Sequence, residues 1–541
     1  MSVKTFFILS VSLIVAYSAR AQRATPGNDT VLKGSSIEVI QAYKPQIKQA
    51  PKPEWIPQLP PSDTTHPPFN YDVPQQTLYY TYSSLPLRPL ALGKEQARPP
   101  FPNYIKLGGG NLSTLFLDAG VGGISGKNYE TDIHLHHISQ QGKIVNQQSA
   151  LSGIEAEGMF HNNQSDWHTA IIAERNQYNY YGGDQSAYFL PDSIKQVYTT
   201  IRAVVDMKNK QDSNTVLNYH PAINASFYNA RLNASEITIG LSAPVTYKID
   251  SNLDFQGALT GAFTSYNVNS VATNNNFIEL QPGINLHKDP LNGHALFGFA
   301  LGKGSNIYFL PDILIAYNIG AKFTVSGGWQ ALLRQNTYEQ LTTENPYLSG
   351  SYTVMQSKTQ EAFINLTGNS GDHLSFSGRI SWWNLNSLPT FLNDIGDHRQ
   401  FYVDYQDVKA ISFKTAARYQ VANTWSLGVT GDFYSFSGGA EKYVWQQPAT
   451  KIKGDFMVIP VHKLTVTAYL ALLGGIYSKD FNHNVVKLNM IADIGGNAEY
   501  QIIPRLSAFA QVNNLFNDKY QRWYSYQVYG LNIYGGIRLK F

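Results

Sequence analysis

Apolar and polar residues alternate along the end of the chain, in LNIYGGIRLKF at residues 531–541. Counted by twos, one set is apolar or small and comprises Leu531, Ile533, Gly535, Ile537, Leu539 and Phe541. The other set is mostly polar and includes Asn532, Tyr534, Arg538 and Lys540. A period of two residues is that of a β-strand, whose side chains point alternately to opposite faces. The chain therefore ends in a predicted strand with one apolar face and one polar face.

The same alternation recurs upstream, where the polar face also carries charge. Arg379, Lys414 and Arg418 lie on the polar faces of two predicted strands, residues 374–383 and 411–420. A charge that faces lipid at mid-depth costs about 2–4 kcal/mol, whereas a water-filled lumen accepts it. In a membrane barrel this face is therefore the lumen. Alternation alone also fits a soluble sandwich, in which the apolar faces meet in a core.

Turn residues divide the chain after residue 102 into pairs of strands. Short turn signals fall near Gly126, Asn163, Ser213, Ser251, Asn292, Ile319, Ser370, Ala422, Val461 and Pro504. These turns delimit hairpins that predict an all-β fold of about 22 antiparallel strands. Residues 103–123 could instead form one long strand, which would change the number. The joins at the other end are longer, as in residues 178–195 and 337–352, and short turns opposite long loops are typical of outer-membrane barrels.

Composition disfavours an ordinary soluble domain. Only 15% of the 541 residues are charged, whereas soluble domains average about 25%, and 13% are aromatic. The net charge of +3, without a run of Lys or Arg, gives no basis for nucleic-acid binding. The chain has no cysteine, which excludes disulfides, thiolate metal ligands and cysteine catalysis.

Residues 1–21 have the pattern of a secretory signal peptide. Lys4 precedes an apolar run from Phe6 to Tyr17, and the small residues Ala19 and Ala21 precede the predicted cleavage point. The run is too short for a spanning helix, and no later apolar stretch reaches about 18 residues. The sequence has no cysteine to carry a lipid anchor. We expect the mature chain to lie beyond the inner membrane of a Gram-negative bacterium.

Residues 22–102 form a proline-rich segment, in which 14 of the 26 prolines lie between Tyr43 and Pro102. Such composition favours extended chain over a packed core. We expect this segment either to extend into the periplasm or to thread the lumen of a barrel formed by residues 103–541.

Three observations favour a membrane barrel over a sandwich. They are the signal peptide, the uninterrupted series of long strands over more than four hundred residues, and the terminal aromatic residue. Sandwich domains repeat in units of about 100 residues with shorter strands. The sequence therefore predicts a transmembrane β-barrel in the outer membrane, in contact with its lipids. We expect its last strand, with Tyr534, Ile537, Leu539 and Phe541, to close the barrel and to serve as the signal for the outer-membrane assembly machinery.

The C-terminal segment NNLFNDKYQRWYSYQVYGLNIYGGIRLKF, residues 513–541, resembles the closing hairpin of TonB-dependent receptors. ENPYL at residues 344–348 is similar to a loop motif of that family. At the other end, SSIEVIQAYKPQIK (residues 35–48) and YIKLGGGNLSTLFLDAG (residues 104–120) resemble an arrangement in Bacteroidetes barrels of this type. The resemblance implies an outer-membrane receptor or transporter of about 22 strands.

The chain departs from that family at the plug. The family's receptors carry a plug domain of roughly 130–150 residues inside the barrel, and residues 22–102 are too few and too proline-rich for one. This departure puts TonB-driven import in doubt. Residues Ile37, Glu38, Val39 and Ile40 could still form a TonB-box-like strand that adds to the sheet of TonB or another periplasmic partner. The alternative is that they belong to a disordered periplasmic tail.

Asp132, His134 and His136 lie on one face of a predicted strand and are the candidate metal ligands. Ordinary lumen-facing polar residues are the alternative, because no further ligand cluster is evident in the sequence. The sequence has no G-x-S-x-G, P-loop or dinucleotide fingerprint, so we predict neither an enzyme nor a cofactor.

Function is therefore expected at the level of the barrel. The first hypothesis is a receptor or transport barrel that passes a solute across the outer membrane, with TonB linkage open. The second is a structural or accessory barrel without a plug, which acts in a secretion or assembly complex. A fatty-acid-transporter type with fewer, longer strands is the third.

Overall fold

The computed structural model describes residues 103–183, 191–211, 215–231, 234–394, 396–438 and 441–541. Nearly all of its regular structure is β-strand, as the two-residue period predicts. Within these ranges no helix is both long enough and apolar enough to cross a membrane.

The elements follow one another along the chain with short and long connections in turn. The strands are β1 (Tyr104–Gly110), β2 (Leu115–Ser125), β3 (Tyr129–Gln141), β4 (Gln148–His161), β5 (Ser165–Asn179), β6 (Lys195–Asn209), β7 (Leu217–Tyr219), β8 (Ala222–Ala230), β9 (Ala234–Lys248), β10 (Leu253–Val268), β11 (Val271–Lys288), β12 (Leu291–Leu301), β13 (Ile307–Ile319), β14 (Phe323–Gln335), β15 (Gln356–Ser370), β16 (Leu374–Asn393), β17 (Phe401–Val421), β18 (Trp425–Gly438), β19 (Thr450–Val461), β20 (Leu464–Gly474), β21 (Tyr477–Lys479), β22 (Val485–Lys487), β23 (Ile491–Ile503), β24 (Leu506–Asn513), β25 (Gln521–Trp523), β26 (Tyr526–Gln527) and β27 (Asn532–Lys540). The helices are α1 (Pro191–Ile194), α2 (Tyr338–Glu344) and a 3-10 turn at Lys303–Ser305.

The main sheet closes on itself. Every pairing in it is antiparallel, and β27 pairs with both β24 and β1. The pairing of β1 with β27, called the seam below, runs from Tyr104 opposite Lys540 to Gly110 opposite Tyr534. β7 and β8 lie end to end beside β9, so the 23 strand segments of this sheet make a closed barrel of 22 strands. The predicted strand number is confirmed, and residues 103–123 form a hairpin rather than one strand.

The one split strand of the described barrel, β7 and β8, lies beside two prolines, Pro221 in the gap between them and Pro244 on the neighbouring strand β9. The sequence predicts a bulge or kink at Pro244, yet β9 keeps a continuous register with β10 through this residue. Its carbonyl accepts a hydrogen bond from His220 N at 3.2 Å, so its nitrogen faces the β7–β8 side. Because neither Pro221 nor Pro244 carries a hydrogen on its nitrogen, each lacks one ladder hydrogen bond, and the strand is interrupted between Tyr219 and Ala222.

The two ends of the barrel differ in the way that the turn pattern predicts. One end carries short turns such as residues 126–128, 289–290 and 504–505, and the other carries long loops, including residues 336–355 and 514–531. The predicted turn at Ser213 lies outside the described residues.

The outer surface of the barrel is apolar and the inner surface polar. Ile171, Leu280 and Ile315 are 60%, 56% and 58% exposed although they sit mid-strand, and they belong to a belt of outward-facing apolar side chains. By contrast, Arg379 is only 13% exposed and pairs inside with Glu361. In water such a belt would be strongly unfavourable, whereas acyl chains accept it. The fold is that of an outer-membrane barrel.

Candidate functional site

One long loop folds into the barrel at the end where the long loops lie. It comprises residues 336–355, between β14 and β15, and is called the mouth lid below. The lid contains α2, and its residues Tyr338, Leu341 and Leu348 are fully buried. The Tyr338 ring contacts the rings of three wall tyrosines, which lie on β6, β8 and β10. The lid therefore packs against the inner wall instead of extending outward.

The lid helix begins with a local capping signal. Thr337 is its N-cap, and the Thr337 hydroxyl accepts a hydrogen bond from Gln340 N at 3.2 Å. Glu339 in the first turn also suits the positive end of the helix dipole. With only 7 residues, α2 would be marginal in isolation. Its position therefore depends on contacts with the wall.

Glu236 on β9 holds the start of α2. One oxygen of its carboxylate accepts a hydrogen bond from Tyr338 N at 2.7 Å, and the other accepts one from Glu339 N at 3.2 Å. The N–H groups in the first turn of a helix have no hydrogen-bond partner within the helix itself. Since Glu236 is only 2% exposed, losing its carboxylate would leave buried donors unpaired, at a cost of about 1–3 kcal/mol.

The side chain of Glu339 adds a second attachment. Arg202 on β6 donates a hydrogen bond to one of its carboxylate oxygens and forms an ion pair with it. Ser226 Oγ on β8 donates to the other oxygen at 2.9 Å. Strands β6, β8 and β9 thus all contribute to the first turn of the lid helix.

Hydroxyl groups of wall tyrosines complete this side of the lid. Tyr198 and Tyr228 stack with ring centroids 5.6 Å apart. The hydroxyls of Tyr228 and Thr342 share a hydrogen bond at 2.5 Å. The Tyr198 hydroxyl donates to the Pro346 carbonyl at 2.9 Å, and the Tyr266 hydroxyl donates to the Gly350 carbonyl.

The other side of the lid is attached to β17, nearly half a circumference from β6–β9 in the order of pairing. Ser349 N donates to the Phe401 carbonyl at 2.8 Å, and Phe401 N donates to the Tyr347 carbonyl at 3.0 Å. The Tyr347 ring stacks on Tyr526, from the loop 514–531, with centroids 3.6 Å apart. Because the lid reaches both sides of the ring of strands, it lies across the mouth.

The aromatic contacts of the lid are uncharged near neutral pH. Burial raises the pKa of Tyr347 and of Tyr526 well above the ordinary value for tyrosine. Both hydroxyls therefore stay protonated. Among the described contacts, the lid meets the wall through apolar packing, hydrogen bonds and an ion pair, each of which can break and re-form.

The candidate metal ligands share one face of β3, as predicted, but Asp132 and His134 each have a different hydrogen-bond partner. His134 Nε2 lies 3.1 Å from Asp118 Oδ2, and Asp132 Oδ1 accepts a hydrogen bond from Gly123 N at 2.9 Å. The rings of His134 and His136 lie 5.8 Å apart. Across the part of the chain that the structure describes, no three His, Asp or Glu side chains are grouped to hold a metal ion.

The closing-strand residues occupy both faces of β27. Tyr534 is buried on the inner side, where its ring lies 5.5 Å from that of Phe116 on β2. Ile537, Leu539 and Phe541 are exposed on the outer side, and Phe541 N donates to the Asn103 carbonyl at 3.0 Å. The predicted TonB-box-like residues Ile37, Glu38, Val39 and Ile40 lie outside the described residues.

Sequence reasoning missed the lid attachments. Arg202 and Glu236 are distant in sequence from the helix they hold, and no local pattern links them to it. A local signal did exist, because Thr337 followed by Gln340 matches the Thr-x-x-Gln form of a capping box. That signal locates the start of a helix but not its inward position.

A closed 22-strand barrel, with an outer apolar belt and a loop folded across its mouth, defines the class of large outer-membrane barrels. Solved structures of this class resemble the chain. The ferripyoverdine receptor of the outer membrane of Pseudomonas aeruginosa, bound to ferripyoverdine, matches with a TM-score of 0.61 at 12% identity over 82% of this chain and 72% of its own. The FrpB iron transporter from Neisseria meningitidis matches with a TM-score of 0.64 at 10% identity over 81% of each chain.

A third similar structure is the ferric yersiniabactin uptake receptor FyuA from Yersinia pestis, with a TM-score of 0.57 at 11% identity over 81% of this chain and 80% of its own. Neither a protein-family model nor a curated protein matches the chain. At these identities the likeness shows a shared fold.

Proposed function

We propose that this protein is a receptor or transport barrel that passes a solute across the outer membrane, and that the mouth lid is its gate. A barrel of 22 strands encloses a lumen wide enough to require a block. The observation that carries the proposal is the lid, which lies across this lumen and is attached to opposite walls.

The strength of the attachment suits a gate. Each neutral hydrogen bond contributes about 0.5–1.5 kcal/mol net, and bonds to charged groups about 1.5–3 kcal/mol. The lid bonds described above are individually weak, so a ligand or partner that competes for several of them together can shift the lid. An opening that breaks only non-covalent contacts is also reversible.

The similar structures support a solute-uptake role, since they are a ferripyoverdine receptor, an iron transporter and a ferric yersiniabactin uptake receptor. We extend the proposal to partners on the same basis. Ile37–Ile40 would pair with TonB or another periplasmic protein by strand addition. The terminal strand would be recognised by the assembly machinery, and the apolar belt would contact outer-membrane lipids.

Conductance in planar bilayers tests the proposal. The variants are the full chain, the chain without residues 23–102, and each of these with Glu236→Ala and Glu339→Ala combined. Loss of both carboxylates frees the lid, so we expect a stepwise rise in conductance of the lid variants. Asp455→Ala is the matched control, because this carboxylate pairs with Arg418 at 3.0 Å, away from the lid.

Silent bilayers for all of these variants would contradict transport. If the full chain then purified from outer membranes with a stoichiometric partner, an accessory barrel of a secretion or assembly complex would account for the protein better.

A further inference from the structure

The lumen wall formed by β16–β19 carries more cations than carboxylates close enough to pair with them, among the described residues. Arg379, Lys414, Asp432 and Lys451 lie directly opposite one another on four neighbouring strands. Arg379 is neutralised by Glu361. Lys414 and Lys451 form no ion pair within 4.0 Å among the described residues, and neither does Lys453, two positions further along β19.

These lysines face inward. On β17, Ile411 and Phe413 are the exposed outward residues, which places Lys414 on the opposite face. On β19 the outward residue is Phe456, and the alternation places Lys451 and Lys453 inward. Asp432 lies between Lys414 and Lys451 in the pairing order, whereas Lys453 lies opposite Thr430.

Aromatic rings lie among the same lysines. Lys414 Nζ is 4.9 Å from the centre of the Trp383 ring and 6.0 Å from that of Tyr434. Lys451 Nζ, from β19 on the other side of β18, is 5.9 Å from the centre of the same Tyr434 ring. A ring face attracts a cation without neutralising its charge. The rings thus hold the ammonium groups of Lys414 and Lys451 in position and leave their charge able to attract an anion.

Lys414, Lys451 and Lys453 with the neighbouring rings are called the lysine patch below. The mouth lid places a carboxylate near this patch. Lys451 lies close enough to Glu344, at the end of α2, and to Arg522, in the loop 514–531, to interact with both electrostatically. Arg522 donates to the Gln446 carbonyl at 2.8 Å, which leaves its charge uncompensated by that bond. In the proposed open state of the gate, Glu344 would lie away from Lys451, which would leave the positive charge of the wall available to a solute.

We propose that Lys414, Lys451 and Lys453, with the rings of Trp383 and Tyr434, bind the anionic group of a solute below the mouth lid. The chemical class is an anion such as a carboxylate or phosphate, with an apolar or aromatic portion that packs on the rings. This inference rests on the proposed function, because the solute reaches the patch only if the barrel passes it. Anion binding at the patch can be measured separately from transport.

Lysine labelling with a pair of aldehydes tests the site. Pyridoxal 5′-phosphate and pyridoxal form the same imine with a lysine amine, which borohydride then reduces for mapping by mass spectrometry, but only the former carries a phosphate. With the full chain in detergent, we expect Lys414, Lys451 and Lys453 to favour the phosphorylated reagent about tenfold, because positive wall charge raises the local anion concentration. The tenfold preference is measured relative to that of Lys463, exposed in the turn after β19, because free pyridoxal forms an internal hemiacetal that lowers its reactivity with every lysine.

Two variants sharpen the assignment. Lys453→Gln should lower the preference for the phosphorylated reagent at Lys414 and Lys451, whereas Lys463→Gln should leave it unchanged. Inorganic phosphate should protect the patch from labelling. Equal preference at all four lysines would overturn the inference, and so would a patch that neither reagent labels.

The outcome is distinguishable from that of the bilayer test. A phosphate preference at the patch together with silent bilayers would retain the site and reject transport. Conducting bilayers without a phosphate preference would retain transport and reject an anionic solute.

Discussion

At the scale of single residues, the face of the barrel to which a side chain points decides what it tolerates. Leu280 and Gln281 are neighbours near the middle of β11 and point to opposite faces. Leu280 is 56% exposed on the outer face, while Gln281 lies on the inner face with Glu279 two positions before it. This pair allows one charge to be placed in two environments at nearly the same depth.

We predict that Leu280→Arg destabilises the membrane-inserted barrel by about 2–4 kcal/mol, because the guanidinium would face acyl chains. Gln281→Arg should change stability by less than about 1 kcal/mol, since the lumen is polar and Glu279 is close by. Urea unfolding in lipid vesicles measures both. Equal losses for the two variants would mean that the outer face is not lipid-facing.

At the scale of elements, close backbone contact at the seam between β1 and β27 depends on glycine. A Cβ atom on Gly536 would lie 1.8 Å from the Leu107 carbonyl oxygen, and one on Gly110 would lie 2.1 Å from the Ile533 carbonyl oxygen. Both contacts are with backbone, which cannot move aside as a side chain does. Gly110 and Gly536 are therefore needed for closure.

We predict that Gly536→Ala destabilises the barrel by about 1–3 kcal/mol through crowding at the seam. Gly257→Ala on β10 is the control, because the nearest atom to an added Cβ there is a Phe255 ring carbon at 3.6 Å. The measurement is the temperature at which the folded band is lost on unheated gels. If the two variants lose the folded band at the same temperature, close contact at the seam is not what the glycine provides.

The elements also show which parts of the structure the sequence predicts. Strands and short turns follow from local alternation and from turn residues, so the barrel and its strand number are predictable. The lid is not, because it depends on pairs such as Glu236 with Tyr338, which are 102 residues apart. The sequence predicts a bulge or kink at Pro244 on β9, whereas the structure keeps β9 in register and interrupts the neighbouring strand at His220 and Pro221.

At the scale of the whole molecule, the width of the lumen, which the number of strands sets, explains why a lid is needed. Twenty-two strands close a wide lumen, and the attachments of the lid to opposite walls close its mouth. The role of residues 22–102 stays a prediction, as does the TonB-box-like segment Ile37–Ile40. The central claim is therefore a barrel in the outer membrane whose lid closes the side that faces outward.

Cysteine labelling of intact cells tests this claim most directly, because the chain has no cysteine of its own. The single variants are Thr343→Cys on the exposed face of α2, Thr342→Cys on its buried face, and Ser251→Cys in a short turn at the opposite end. With an impermeant maleimide, we expect Thr343→Cys to react in intact cells and Ser251→Cys to react only after permeabilisation. Thr342→Cys should stay protected until Glu236→Ala is added. Labelling of Ser251→Cys from outside, or equal rates for Thr342→Cys and Thr343→Cys without Glu236→Ala, would contradict the account.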